Sequence, residues 1–295
     1  MGSEMCIRDR NKGDSTNPQV RCRYVAREIA FYRDDDFFAA TPPLEGLKLM
    51  LSLVASDRRK RLMVIDARKA YLHAEVGREI FVELPPEIRR PGVCARLKRC
   101  LYGTRDAPAR WEAHLAKQLQ SMGFLRGRAS PCCFYHPQRG LRCLVHGDDF
   151  VFAGTEENLD WVNARMADAF LVKVVGRLGP DSTDLQEMRI LNRVARWTPG
   201  GVEFEADPRH AEILIRDFGK QGADVSIPGV RACTEGGRAR FEEGSDDQLA
   251  EVKSLDQGDD APLTPDQASV FRAGVARANY LALDRPDLSF AVKEL

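Results

Sequence analysis

Apolar positions recur at helical spacing in four stretches of the chain. Leu44, Leu47, Leu51 and Val54 follow Thr41-Pro42-Pro43, which predicts a helix with Thr41 as N-cap and proline in its first turn. Trp111, Leu115, Leu119 and Met122 follow a capping Asp106 and stop at Gly123. Leu159, Val162, Met166 and Phe170 follow Thr155 in the same way, and EADPRHAEILIRDFG (205–219) reads as a strand end, a proline-initiated helix and a glycine stop. Between these stretches lie short apolar runs: 62–65, ending at Asp66; the hairpin LRCLVHGDDFVFAG (141–154); and 171–175. The order over residues 62–175 is β-α-β-β-α-β.

That order predicts an α+β fold built on the ferredoxin-like split βαβ motif. A helical crossover brings the second strand parallel to the first, and the third inserts between them. Asp66, at the end of the first strand, should then share an edge of the sheet with Asp148 and Asp149, at the turn between the second and third. Clustered carboxylates raise one another's pKa and cost stability unless a cation neutralises them. Mg²⁺ suits such a platform, with Mn²⁺ as the alternative: it is a hard ion, commonly held by one or two carboxylates plus substrate phosphates. Two ions about 3.5–4 Å apart clamp an in-line displacement at phosphorus. An Asp-Asp pair alone is weak evidence, since acidic pairs also occur at 34–36, 246–247 and 259–260 and often serve only turn chemistry. The combination of pair, hairpin tip and third aspartate is what points to metal.

Composition adds boundaries rather than chemistry. The 295 residues can bury a large core, and no apolar run approaches the roughly 18 residues of a membrane helix, so a cytosolic or nuclear setting without a membrane partner is expected. Eight cysteines include no CxxC pair and read as reduced. Net charge is zero, but residues 86–130 carry ten Lys or Arg against three acids, and residues 241–260 carry eight acids against Lys253. The basic run is either a solvated face or a polyanion-binding one. A Gly-, Asp- and Glu-rich composition from about 229 to 265 marks a linker or loop. The opening MGSEMCIRDR is set aside as a non-native leader.

Three blocks then carry a family resemblance: RLMVIDARKAYLHAEVGREIFVELPP (61–86), VCARLKRCLYGTRDAPARWEAHLAKQLQSMGF (93–124) and CLVHGDDFVFAG (143–154). In order and spacing they resemble the reverse transcriptase of Ty1/copia-type LTR retrotransposon Pol polyproteins, and ARANYLALDRPDLSFAVKEL (276–295) resembles the segment preceding that family's RNase H region. The resemblance implies a right-hand polymerase. Fingers would come from 21–60 and part of 75–106, the palm from the split motif, and a partial thumb from residues after about 177. The implied layout is a leader over 1–20, non-native or disordered, reverse transcriptase over 21–230, an acidic linker over 231–268, and the start of a connection over 269–295. Integrase and RNase H regions, expected partners in the polyprotein, are absent, and the chain reads as truncated. The implied partners are an RNA or DNA primer–template and a dNTP, and the implied location is a cytoplasmic virus-like particle, the nucleus, or both.

Residue by residue, the resemblance makes Asp66, Asp148 and Asp149 the catalytic and metal-binding aspartates. It makes Tyr71 the aromatic that blocks a ribose 2′-hydroxyl, although an aromatic packed beside the strand is the plainer alternative. Tyr102 and Gly103 fall where the family cradles the nucleotide and template base; Gly103 could otherwise be a turn glycine. Arg21, Arg23 and Arg27 match basic residues of the fingers that meet the triphosphate, to which arginine's bidentate fork is suited. Lys173 matches the lysine proposed to protonate pyrophosphate, or else faces solvent. Trp111 fits core packing, and His146 stands where the family usually has an aromatic, as a turn residue rather than a ligand. Two rival readings remain: a decayed or repurposed copy that only binds nucleic acid, and a two-metal nuclease or cyclase on a palm-like scaffold.

Overall fold

The computed structural model of the protein describes residues 4–11, 18–28, 37, 39–219 and 263–293. The acidic run 241–260 lies outside the described residues. The chain forms two compact units, one reaching Ile190 and including Ala195–Glu203, the other made of Leu191–Val194 and the chain from Phe204.

The first unit is organised by β3 (Lys60–Ala67), whose interior residues are almost all buried. Alternation explains why both faces are apolar. Met63, Ile65 and Ala67 join one core cluster with Phe150 and Phe152 of β9 (Asp149–Thr155). That cluster packs on Trp111, Leu115 and Leu119 of α2 (Ala107–Ser121) and on Leu159, Val162 and Met166 of α3 (Glu156–Ala169). On the other face α1 (Leu44–Ala55) buries Leu47, Met50, Leu51 and Val54 and packs against β3, β9 and β8 (Leu141–His146).

The six-stranded sheet has the order β10-β3-β9-β8-β7-β6, where β10 is Val172–Leu178, β7 Cys133–His136 and β6 Leu125–Arg126. Each neighbouring pair is antiparallel. Strands β3 and β8 therefore run in one direction with β9 between them. The end of β3 and the β8–β9 turn come to one edge.

Local details differ from the sequence pattern. Helix α1 starts after both prolines, with Pro43 extended at φ −65°, ψ 147° as its N-cap, because Thr41 lies too far upstream to cap Leu44. Asp106 and Thr155 do sit at N-cap positions, but neither side chain caps its helix. The Asp106 carboxylate meets Arg78 instead, and the Thr155 hydroxyl accepts from Asn158 Nδ2. Glu4–Asn11, inside the 1–20 stretch expected to be a non-native or disordered leader, forms β1 against β2 (Val20–Arg27), with eight residues of each strand paired in antiparallel register. Strands β4 (Phe81–Glu83) and β5 (Cys94–Arg96) form a second small ladder, and β11 (Glu187–Ile190), β12 (Arg193–Thr198) and β13 (Gly201–Glu205) a third.

In the second unit α4 (Pro208–Phe218) is capped by Asp207, whose carboxylate accepts from Arg209 N–H. Helix α5 (Pro265–Ala282) starts with a capping box between Thr264 and Gln267, so helix begins inside the stretch expected to be linker. The short α6 spans Ser289–Lys293. A buried ion pair, Arg193–Asp284 at 2.7 Å, ties this unit internally. Among the described residues no helix is long and apolar enough to cross a membrane, and Cys94, Cys100, Cys132, Cys133 and Cys143 are free thiols.

Candidate active site

Asp66 occupies the last turn of pleat before β3 ends. Its Cα partner on β9 is Asp149, its partner on β10 is Lys173, and Asp149 in turn opposes His146 on β8. Period-2 alternation puts all four residues in one row, on the face opposite α2 and α3. Asp148 is the second residue of the two-residue turn, Gly147–Asp148, that follows His146. Gly147 has φ +64°, while Asp148 keeps a negative φ, the pattern of a type II′ hairpin turn with glycine at its first central position. The Asp148 carbonyl accepts from the Ala67 N–H at 2.8 Å, so the turn is tied directly to the end of β3.

Within this row Asp66 and Asp149 are partly buried, whereas His146 and Lys173 are exposed. Asp149 is half-buried, and its carboxyl is pushed up to about 6, first by burial and then by the Asp148 and Asp66 carboxylates. An acid whose folded pKa lies above its unfolded value binds its proton more tightly in the folded state. Stability is then lost as pH rises through the window from 3.8 to about 6. In chelator at pH 7.5, Asp149→Asn should therefore unfold at higher urea than the parent, by on the order of 2 kcal/mol, with the difference vanishing below pH 4. Urea melts at the two pH values check it; equal midpoints at pH 7.5 would refute the electrostatic strain.

Beside the carboxylates stands an aromatic wall. After β3 the backbone turns through Lys69 at φ +56° into the 3₁₀ helix Ala70–His73, which presents Tyr71. The Tyr71 and Tyr102 rings lie 4.8 Å apart, and the Arg23 guanidinium sits 5.2 Å from the Tyr102 ring centre. Burial raises the pKa of both phenols, the Asp148 charge adds to this, and Arg23 opposes it. Tyr71, Tyr102, Arg23 and Asp148 thus share one electrostatic neighbourhood. Arg21 is on β2, and its side chain lies outside the described residues.

Gly103 is where β2 and the 101–103 loop meet most closely. Ala26 N–H donates to the Tyr102 carbonyl at 2.8 Å, and a Cβ on Gly103 would lie 1.9 Å from the Ala26 carbonyl oxygen, at a backbone φ of +91°. A side chain there meets backbone that cannot step aside. Farther along, Glu28 accepts from Arg78 and from the Arg105 N–H, and Arg78 also reaches Asp106. This clamp joins positions 50 and 77 residues apart, which no spacing signal could announce.

The structure also gives Trp111 a second task. It is buried in the core, as its helical stripe predicts, but its indole N–H donates to the Gly147 carbonyl at 2.7 Å. The basic stretch 86–130 is less uniform than its composition: Arg89, Arg96 and Arg99 pair with Glu83, Glu79 and Glu75. Such exposed pairs contribute about 0–1 kcal/mol each, so phosphates can compete for these arginines.

Among the described residues no group of three or more His, Cys, Asp or Glu side chains is gathered tightly enough to hold a metal alone. Asp149, partly buried beside the Asp66 and Asp148 carboxylates, nevertheless fits a hard divalent ion. An ion that takes much of its coordination from substrate phosphates needs no closed protein cage.

Residues 6–180 match the family model described as reverse transcriptase (RNA-dependent DNA polymerase). The chain belongs to this family. Among its curated relatives is the retrovirus-related Pol polyprotein from transposon RE2 of Arabidopsis thaliana, 26% identical over 92% of this chain and 17% of that protein. The Transposon Ty1-DR4 Gag-Pol polyprotein of Saccharomyces cerevisiae is 26% identical over 74% of this chain and 14% of its own length. A solved structure of apo telomerase from Candida tropicalis overlaps at a TM-score of 0.39 with 9% identity, over 68% of this chain and 55% of that one. This reverse transcriptase-family chain spans less than a fifth of the curated relatives' length. The family match covers the whole row from Asp66 to Lys173 and the β2 strand beside it.

Proposed function

We propose that this chain is the polymerase part of a copia-type retrotransposon Pol polyprotein and carries out templated DNA synthesis. The six-stranded sheet would serve as a palm of ferredoxin-like topology, β2 and residues 75–106 as fingers, and the chain after about 177 as a partial thumb. The observation that carries this reading is the edge where Asp66, Asp148 and Asp149 meet beside the Tyr71–Tyr102 pair and Arg23.

In the reaction a primer 3′-hydroxyl attacks the α-phosphate of a dNTP, and pyrophosphate leaves. Two divalent ions, when bound, activate the attacking oxygen and neutralise charge on the phosphates. Asp66 and Asp148 would hold both and Asp149 would support them, using carboxylates whose mutual repulsion is relieved by the cations. Arg23 lies beside Tyr102, where its fork can engage triphosphate oxygens. Tyr71, half-buried and packed at a tilt against Tyr102, offers an edge that a ribose 2′-hydroxyl would strike. Lys173, exposed and next to Asp66 across the ladder, would supply a proton or a positive charge to the leaving group.

Primer extension on RNA and DNA templates with Mg²⁺ or Mn²⁺ tests the reading. Template-dependent products support it. Nucleic-acid binding without extension, or cleavage without a primer requirement, overturns it. The same assay should register Gly103→Ala as a rise of about tenfold in the KM for dNTP, because moving the Tyr102 loop off β2 displaces the nucleotide wall. An unchanged KM would mean that this loop does not touch the nucleotide.

A further inference from the structure

The β8–β9 turn has no restraint of its own at Gly147. A Cβ built there meets nothing within 4 Å, and the residue's positive φ lies in a region glycine leaves easily. Yet the turn must aim two adjacent carboxylates that repel each other. Its two consecutive carbonyls are pinned from different elements: Asp148 O by the Ala67 N–H at 2.8 Å, and Gly147 O by the Trp111 indole N–H at 2.7 Å. Trp111 also meets Phe150, the residue after Asp149, edge-on at 6.4 Å, and Phe170 at 5.3 Å. Its ring lies 6.0 Å from His73, in the 3₁₀ helix that bears Tyr71. One buried side chain thus touches both elements that carry the site. A buried indole N–H without its acceptor is costly, which makes the bond to Gly147 persistent.

We propose that Trp111 is a positioning residue for the reaction: its N–H holds the Gly147–Asp148 turn so that Asp148 and Asp149 present their carboxylates to divalent ions in one fixed direction. The proposal rests on reading the hairpin as a metal platform. It treats a residue of the apolar stripe of α2 as part of the catalytic support, acting through Gly147 rather than on substrate.

Trp111→Phe in the full chain removes the donor and keeps a ring in the core. Its effect is read by hydrogen exchange at the Ala67 amide and the β9 amides, by Mn²⁺ titration followed by electron paramagnetic resonance, and by primer extension. The expected result is faster exchange confined to the hairpin and Ala67, Mn²⁺ affinity weakened by roughly three- to tenfold, kcat lowered by a similar factor, and the KM for dNTP within about twofold of the parent. Exchange, Mn²⁺ affinity and kcat all unchanged would overturn the proposal. So would uniformly faster exchange through β6, β7 and α2 with a lower Tm, because that marks a packing role alone. A parent chain that neither binds Mn²⁺ nor extends primers would instead sink the polymerase reading. In that case exchange at Ala67 still decides whether Trp111 holds the turn.

Discussion

Replacing Asp66 by Asn should lower templated primer extension by about three orders of magnitude or more while leaving the fold intact. Asn matches Asp in shape, so the pairing of β3 with β9 and β10 is not disturbed. What disappears is one negative charge at the point where Asp149 and Lys173 flank it across the ladder. A divalent ion bound at this edge would depend on that charge, because the described residues offer it no closed cage of ligands. Removing Asp66 also removes one of the charges that raise the Asp149 pKa, so thermal stability should hold or rise slightly. Activity falling while stability holds distinguishes a catalytic carboxylate from a structural one. Steady-state extension with a radiolabelled primer, run beside a thermal melt, measures both. Extension within tenfold of the parent would remove Asp66 from the site.

Phe150→Ala should cost about 3–5 kcal/mol of stability. Phe150 is fully buried and follows Asp149 directly. Its ring stacks parallel to Phe152 at 6.3 Å and meets Trp111 and Phe170 at 6.4 and 6.2 Å, so its loss opens a cavity bounded by α2, β9 and the end of α3. The surrounding rings are already in contact with one another and have little room to collapse inward. Urea denaturation followed by far-ultraviolet circular dichroism gives the number. A loss below about 1 kcal/mol would mean that the cluster repacks and that the core beneath the carboxylates is softer than its burial implies.

Much of the fold is legible in the sequence, and the reasons are local. Helices α2 and α3 lie where the spacing of Trp111, Leu115 and Leu119 and of Leu159, Val162 and Met166 puts them. Strand β3 contains its LMVI run, and the β8–β9 hairpin encloses the acidic pair. The structure departs from the sequence pattern where local and distant partners compete. Asp106 looks like a helix cap, but Arg78 claims its carboxylate from 28 residues away. Thr41 looks like another, but two prolines in succession keep the chain extended until Leu44. Short ladders such as β4 with β5 and β6 with β7 carry too few residues for alternation to register.

The chain's own pattern of apolar residues, glycines and acids was enough to place the long helices, the main strands and the hairpin, because each depends on neighbours a few positions apart, and their order was enough to bring Asp66 to one edge with Asp148 and Asp149. Folding alone chose which side chains face one another: Asp149 opposite Asp66, Lys173 on the far side of Asp66, Arg23 beside Tyr102, and Trp111 reaching the Gly147 carbonyl. Register and burial are properties of the packed sheet. A shift of one residue in the pairing of β3 with β9 would send Asp149 into the core and Phe150 to the surface, and nothing in the linear pattern around Asp66 specifies that partner.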